Sequence, residues 1–242
     1  LVVTVTLRAV CISGPARIEI QGHFGQDVCA STDKKKMQII CDALNITNQK
    51  ILIFDALKII KSAPLILPKL PRWNKPFRVL ITNAGDWGWI SDKSGFKYVK
   101  KHPKTGKIWP EIPSSFFGIW KKFSCSNIMP NSCLINLYKN INSRLGLHQD
   151  KDENDFSVPV LTISIGSSCK FNYGKTKEIK LLKTFDLKTG SIVLLSGGSR
   201  LYYHSVSKIL KTEKNILHNE NPNIFPRNSR LSITLRRFKE KS

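Results

Sequence analysis

His148, Gln149 and Asp150 form an H-x-D triplet. On extended backbone, positions i and i+2 point to the same face. An imidazole and a carboxylate therefore project together there, as two metal ligands do. His204 ends the aromatic run LYYH much further along. Two imidazoles and one carboxylate on an octahedral Fe(II) leave three positions open, enough for a chelating co-substrate and dioxygen. Taken alone, the triplet has a plainer reading. H-x-D recurs by chance, and an isolated histidine is usually a surface residue or a satisfied core residue. A third feature adds to it. The segment RLSITLR (230–236) puts Arg230, Ser232, Thr234 and Arg236 on one face of a strand, and Leu231, Ile233 and Leu235 on the other. Turned inward, two arginines are costly unless they meet anions. A dicarboxylate would satisfy them through paired hydrogen bonds. Turned outward, they are the polar face of a half-exposed strand. The spacing leaves both readings open.

These residues need a scaffold, and the second half of the chain supplies a β-rich pattern. CLINLY (133–138), VPVLTISIG (158–166), CKFNYG (169–174), SIVLLSG (191–197), YYHSVSKI (202–209) and RLSITLRRF (230–238) read as short strands separated by turn signals. Such a series suggests a sandwich or barrel. Earlier, the pattern over 37–60 is apolar and partly helical and ends before Pro64. Pro64, Pro68, Pro71 and Pro76 then punctuate an extended linker. FRVLITNAG (77–85) reads as a strand, and the Gly-, Trp- and Lys-rich stretch 85–113 as an exposed loop or hairpin. Ser114–Cys125 has helical spacing with Ser114 as its cap. Val2–Leu7 alternates apolar residues with Thr, as a strand does.

Composition sets the outer bounds. The chain has 242 residues, 41% of them hydrophobic, which suffices for a sizeable core without covalent staples. Its 39 Lys+Arg against 17 Asp+Glu give a formal net charge of +22. That favours a polyanionic partner over a cationic one. Lys outnumbers Arg 29 to 10, and Ile and Asn are frequent too, so A·T-rich codon usage explains part of the excess equally well. The six cysteines contain no C-x-x-C spacing. They read as reduced and mostly buried, although an even count also permits disulfides. No apolar run reaches the length of a membrane span. The opening LVVTVTLRAVCISGPA is interrupted by Arg8 and makes a poor signal peptide. The cytoplasm is the expected location.

Taken together, ITNAGDWGW (81–89), GKIWPEIP (106–113), CLINLY, LHQDKDE (147–153), ISIG (163–166), SGGSRLYYH (196–204) and RLSITLR resemble the AlkB group of Fe(II)/2-oxoglutarate dioxygenases, of the bacterial DNA-repair type. The resemblance covers roughly residues 77–238. It implies a mainly β fold with flanking helices (α+β), built on a double-stranded β-helix of jelly-roll type. It divides the chain into an unassigned segment over 1–36, open to disorder, a helical extension and Pro-rich linker over 37–76, and a catalytic domain over 77–242 with a nucleotide-recognition lid at about 85–113. His148, Asp150 and His204 would be the iron ligands. Asn136, Tyr138, Arg230, Ser232 and Arg236 would bind 2-oxoglutarate, with O2 as second co-substrate. Trp89, Phe96 and Asp152 would meet the damaged base. Ser232 stands where the repair enzymes usually carry Asn, and Phe96 where they often carry Tyr. The implied activity is oxidative removal of N-alkyl groups, of the 1-methyladenine and 3-methylcytosine type, from DNA or RNA. 2-Oxoglutarate decarboxylation would be coupled to hydroxylation of the alkyl carbon and release of formaldehyde. A cytoplasmic monomer without membrane attachment goes with it. Two alternatives stay open: a 2-oxoglutarate-dependent hydroxylase of tRNA or protein, and a catalytically dead basic nucleic-acid-binding protein. Lys93, Lys97, Lys100, Lys101, Lys104 and Lys107 crowd the lid. They form either a cationic rim for phosphates or a solvated lysine-rich loop.

Overall fold

A computed structural model describes residues 37–240. The strand reading at Val2–Leu7 and the unassigned segment over 1–36 fall outside them. Strand β1 (Gln38–Ile40) leads to helix α1 (Ile46–Ser62). Asn45 caps that helix, its side chain accepting from the Asn48 N–H at 2.8 Å. Leu52, Ile53, Ala56, Ile59 and Ile60 recur at helical spacing and are buried on one face. The helix stops just before Pro64, which disfavours α backbone at Ala63. Strand β2 (Leu80–Gly85) follows, then a hairpin of β3 (Gly88–Asp92) and β4 (Gly95–Val99). Helix α2 (Ser114–Phe123) is capped by Pro113, not by the Ser114 hydroxyl as expected. The proline ring holds an extended backbone at 113, so Ser114 is already the first helical residue.

The β-rich half contributes β5 (Ser132–Tyr138), β6 (Leu145–His148), β7 (Val160–Gly166), β8 (Cys169–Gly174), β9 (Lys183–Leu187), β10 (Ile192–Leu195) and β11 (Tyr203–Ile209). Helix α3 (Ile216–Glu220) and strand β12 (Arg230–Arg236) complete it. The strands form a six-stranded sheet in the order β1-β10-β7-β12-β5-β2 and a four-stranded sheet in the order β6-β11-β8-β9. All pairs are antiparallel. This is the double-stranded β-helix, with α1, α2 and α3 flanking it.

Strand alternation divides the interior into two layers. Cys133, Ile135 and Leu137 of β5, and Leu231, Ile233 and Leu235 of β12, pack outward with Phe116, Trp120 and the apolar face of α1. The opposite face of the same strands looks between the sheets, where Leu134 and Tyr138 share a core with Phe171, Phe185 and Val206. β1 pairs with β10, so residues near the start of the described chain share the core of the β-helix. β6, β9 and α3 have no counterpart in the sequence reading. Each is short, and β9 (KTFDL) reads locally as a charged turn. Cys133 and Cys169 are buried free thiols, and Cys41 is half-buried. None of the described helices is long and apolar enough to cross a membrane.

Candidate active site

Antiparallel pairing of β6 with β11 sets His148 directly opposite His204. Their ring centroids are 4.3 Å apart. Asp150 follows β6 on the next turn of chain and is buried between them. Its Oδ1 lies 4.0 Å from His148 Nε2, and its Oδ2 lies 3.6 Å from His204 Nε2. One ligand atom from each of the three lies within 4.8 Å of the others. Each Nδ1 faces a backbone carbonyl, Gly146 O at 2.8 Å for His148 and Tyr202 O at 3.1 Å for His204. A carbonyl only accepts, so Nδ1 carries a proton, and in the neutral ring the lone pair is on Nε2, toward Asp150. Burial, then the neighbouring His148, lowers the His204 pKa to about 4, so this imidazole is neutral and able to ligate near neutral pH. Burial alone would raise the Asp150 carboxyl. Arg236 chiefly, with His204, His148 and Arg200, outweighs it and holds Asp150 well below the usual carboxylate range.

The register of β12 against β5 pairs Arg230 with Tyr138 and Ser232 with Asn136. Residues opposite each other share a face, so these four and the triad line one cavity of about 720 Å³. The polar face of β12 is thus turned inward, not to solvent. Both arginines are almost fully buried. Arg230 donates through Nη1 to the Ser164 hydroxyl and, at 3.4 Å, to Ser167 O. Arg236 Nη1 meets Asp150 Oδ1 at 3.2 Å and Glu153 Oε1 at 2.7 Å. The Nε of each arginine is buried without a hydrogen-bond partner among the described residues. Burial, partly opposed by Arg230, raises the Tyr138 phenol well above its ordinary value, so it stays protonated beside that arginine.

Sequence reasoning missed a buried charge cluster behind the triad. Glu153 is fully buried. It accepts from Arg236, from the Tyr98 hydroxyl at 2.7 Å and from Arg200 Nη2 at 3.2 Å. Arg200 also donates through Nη1 to the Asp150 carbonyl at 2.7 Å and through Nε to Val158 O at 2.9 Å. Two buried cations thus meet two buried carboxylates. Burial dominates the Tyr98 phenol and keeps its pKa well above the ordinary value, so it donates to Glu153. LHQDKDE and SGGSRLYYH contain Glu153 and Arg200, but nothing in either motif marks them as buried.

Trp89, Phe96 and Asp152 line the same cavity. Trp89 Nε1 donates to Asp152 Oδ2 at 2.9 Å. Its backbone is clamped by the Asn83 side chain, which exchanges two hydrogen bonds of 3.0 Å with Trp89 N and O. Phe96 stacks on the indole at 5.7 Å and 15°, and Phe77 lies at 6.5 Å and 21°. Asn83, Asp152 and the neighbouring rings thus hold the indole in place, and Phe96 is itself about half exposed. None of the six lysines Lys93, Lys97, Lys100, Lys101, Lys104 and Lys107 lines the cavity.

Residues 36–236 match the sequence profile of the 2OG-Fe(II) oxygenase superfamily. An alpha-ketoglutarate-dependent dioxygenase AlkB homolog from Caulobacter vibrioides is 36% identical over 165 residues, covering 68% of this chain and 71% of that protein. The chain belongs to the AlkB group of this superfamily. A second relative is the DNA N(6)-methyladenine demethylase ALKBH1C of Arabidopsis thaliana. It is 32% identical over 170 residues, 61% of this chain and 37% of its own. Among solved structures, that of OsALKBH1 superposes with a TM-score of 0.71 at 27% identity, covering 86% of this chain and 100% of the other. As an AlkB-group member the protein is an Fe(II)/2-oxoglutarate-dependent dioxygenase, with O2 as second co-substrate. The residues present fit both groups. Two neutral-capable imidazoles and a carboxylate converge for the metal, and two buried guanidinium Nε donors await a partner beside them.

Proposed function

We propose that this AlkB-group dioxygenase removes N-alkyl groups from bases in DNA, with RNA as a second substrate. One observation carries the reading: a single cavity joins the His148–Asp150–His204 triad to the fixed Trp89–Asp152 pair. In this reading the triad holds Fe(II), and Arg230 pairs with the far carboxylate of 2-oxoglutarate. Asn136, Tyr138 and Ser232 contact the co-substrate from the sheet, and Arg236 closes its other end. When bound, iron with 2-oxoglutarate and O2 supplies oxidative decarboxylation to succinate and CO2, coupled to hydroxylation of the alkyl carbon, whose adduct releases formaldehyde. The chain's part is to hold and position. The two Nδ1–H donors fix the imidazoles, and Arg236 keeps Asp150 ionised. Trp89 and Phe96 offer ring faces to a flipped base, and Asp152 accepts from an exocyclic amino group. A methyl on the Watson–Crick edge weakens pairing and lowers the cost of flipping. The reading takes residues 77–242 as the catalytic domain, 85–113 as its lid and 37–76 as a helical extension. It also takes the protein as a cytoplasmic monomer.

The name of the plant relative supports a neighbouring reading, N6-methyladenine in DNA as the substrate. Succinate and formaldehyde release should be compared across oligonucleotides carrying 1-methyladenine, 3-methylcytosine or N6-methyladenine, a methylated RNA and a methylated peptide. Release on the first two supports the proposal, release on N6-methyladenine alone supports the neighbour, and release only on peptide overturns both. Replacing Trp89 by Ala should lower kcat/KM on oligonucleotide by roughly 5- to 150-fold, the worth of one base–aromatic stack. The KM for 2-oxoglutarate should stay unchanged.

A further inference from the structure

The three triad side chains sit on two short segments, and the strand ladder joins these segments only in part. β6 is four residues long. It is paired with β11 at His148–His204 and Leu145–Val206, with a shift of register between the two pairs. The ladder stops at His148, and Asp150 lies beyond it. Residues 150–152 make no backbone–backbone hydrogen bond among the described residues. Side chains hold the junction instead, and they reach across it in both directions. Arg200 Nη1 donates to the Asp150 carbonyl at 2.7 Å, and Gln149 Nε2 donates to the Leu201 carbonyl at 2.6 Å. Gln149 precedes Asp150 and Arg200 precedes Leu201, so the two bonds form a reciprocal clasp. Each end is firm. Arg200 is buried and anchored at Val158 and Glu153. Its turn is closed by Arg200 N to Gly197 O and Tyr202 N to Ser199 O, both at 3.0 Å. The Tyr202 carbonyl, one residue past the clasped Leu201, is the one that orients His204.

We propose that Gln149 and Arg200 are positioning residues whose clasp sets the spacing of Asp150 to the two imidazoles before a metal binds. This rests on the reading of the triad as the iron site, and adds to it the device that holds the triad together. A ligand shell is precise only when the groups behind it are themselves locked. Here the strand ladder cannot lock Asp150, and the clasp does. Residues that orient a ligand from one layer behind contribute about 10–100-fold to metal affinity. Arg200 also belongs to the buried cluster around Glu153. Gln149 does not. It is half-buried on the cavity wall and makes no other hydrogen bond among the described residues. Gln149 therefore reports on the clasp alone.

The test is titration of the full chain with Co(II) alone, read by its visible absorption band and its binding isotherm, beside the Tm of the metal-free protein. Five proteins are compared: wild type, Gln149→Met, Arg200→Lys, the double variant and Asp150→Ala. Methionine keeps the length of glutamine but donates nothing. Lysine keeps the charge of arginine but lacks the planar fork that reaches several acceptors at once. Gln149→Met should weaken Co(II) binding by about 10–100-fold and shift the absorption band. Its metal-free Tm should fall by no more than about 4 °C, the shift that one net hydrogen bond brings in a chain of this size. The double variant should lose less than the product of the two single losses, because both bonds hold one junction. Wild-type affinity and band in Gln149→Met overturn the proposal, and so does a lower Tm with unchanged affinity. A double variant that loses the full product overturns the reciprocal clasp. If Arg200→Lys does not fold, Gln149→Met decides alone. Asp150→Ala separates the two readings. Loss of Co(II) there with none in Gln149→Met removes only the clasp, whereas wild-type Co(II) binding by Asp150→Ala removes the triad reading and the clasp with it.

Discussion

Asp150→Ala is expected to bring succinate formation to background while leaving oligonucleotide affinity within about twofold of wild type. Asp150 is the only carboxylate of the triad, and both imidazole Nε2 atoms converge on it. Removing it takes away a donor and also frees Arg236, whose Nη1 lies 3.2 Å from Asp150 Oδ1. A guanidinium then faces the imidazoles with one anionic partner fewer, which disfavours a divalent cation further. Loss of a residue one layer behind a metal typically costs about 10–100-fold, and loss of the carboxylate itself should exceed that. Binding of Co(II) as a spectroscopic probe should fail alongside turnover. The exposed cations lining the cavity are untouched by the change, so strand binding persists. Equal succinate release by variant and wild type would show that the triad does not hold the metal.

Glu153→Ala has the second largest expected effect, and on a different axis. Its carboxylate is fully buried and accepts from Arg200, Arg236 and Tyr98. Removing one partner from a buried ionic cluster leaves uncompensated charge and costs about 3–5 kcal/mol. For a chain of this size that is a fall in Tm of roughly 6–20 °C. Arg236 would also swing fully onto Asp150 and compete with a metal, so Co(II) affinity should fall as well. Glu153→Gln keeps the acceptor oxygen without the charge and should recover part of the Tm but little of the metal affinity. A Glu153→Ala protein with wild-type melting and Co(II) binding would contradict the view that this cluster supports the site.

Much of the fold is legible because β alternation is local. RLSITLR announces two faces from its own residues, and the structure turns the arginine face inward. The partners of a strand are not local. β6 is only LGLH, too short to stand out, yet its register with β11 is what brings His148 opposite His204. Burial of Glu153 and Arg200 is equally non-local, since each depends on a charge from another element. Sequence runs also mislead about charge. The lysines over 93–107 draw the eye because they are close in sequence, while the exposed cations lining the cavity, Lys75, Arg78, Arg144, Lys151 and Lys177, are scattered over four segments and brought together only by folding. The Trp89–Asp152 hydrogen bond joins a hairpin to the segment after β6 and has no local signature.

In the proposed function, one cavity couples 2-oxoglutarate decarboxylation to base dealkylation. Its most direct test is anaerobic reconstitution with Fe(II) and 2-oxoglutarate, then admission of O2 to a 3-methylcytosine single-stranded oligonucleotide, with succinate, formaldehyde and restored cytosine counted together. All three are expected in equal amounts, and none without the metal. Succinate without restored cytosine or formaldehyde would contradict it.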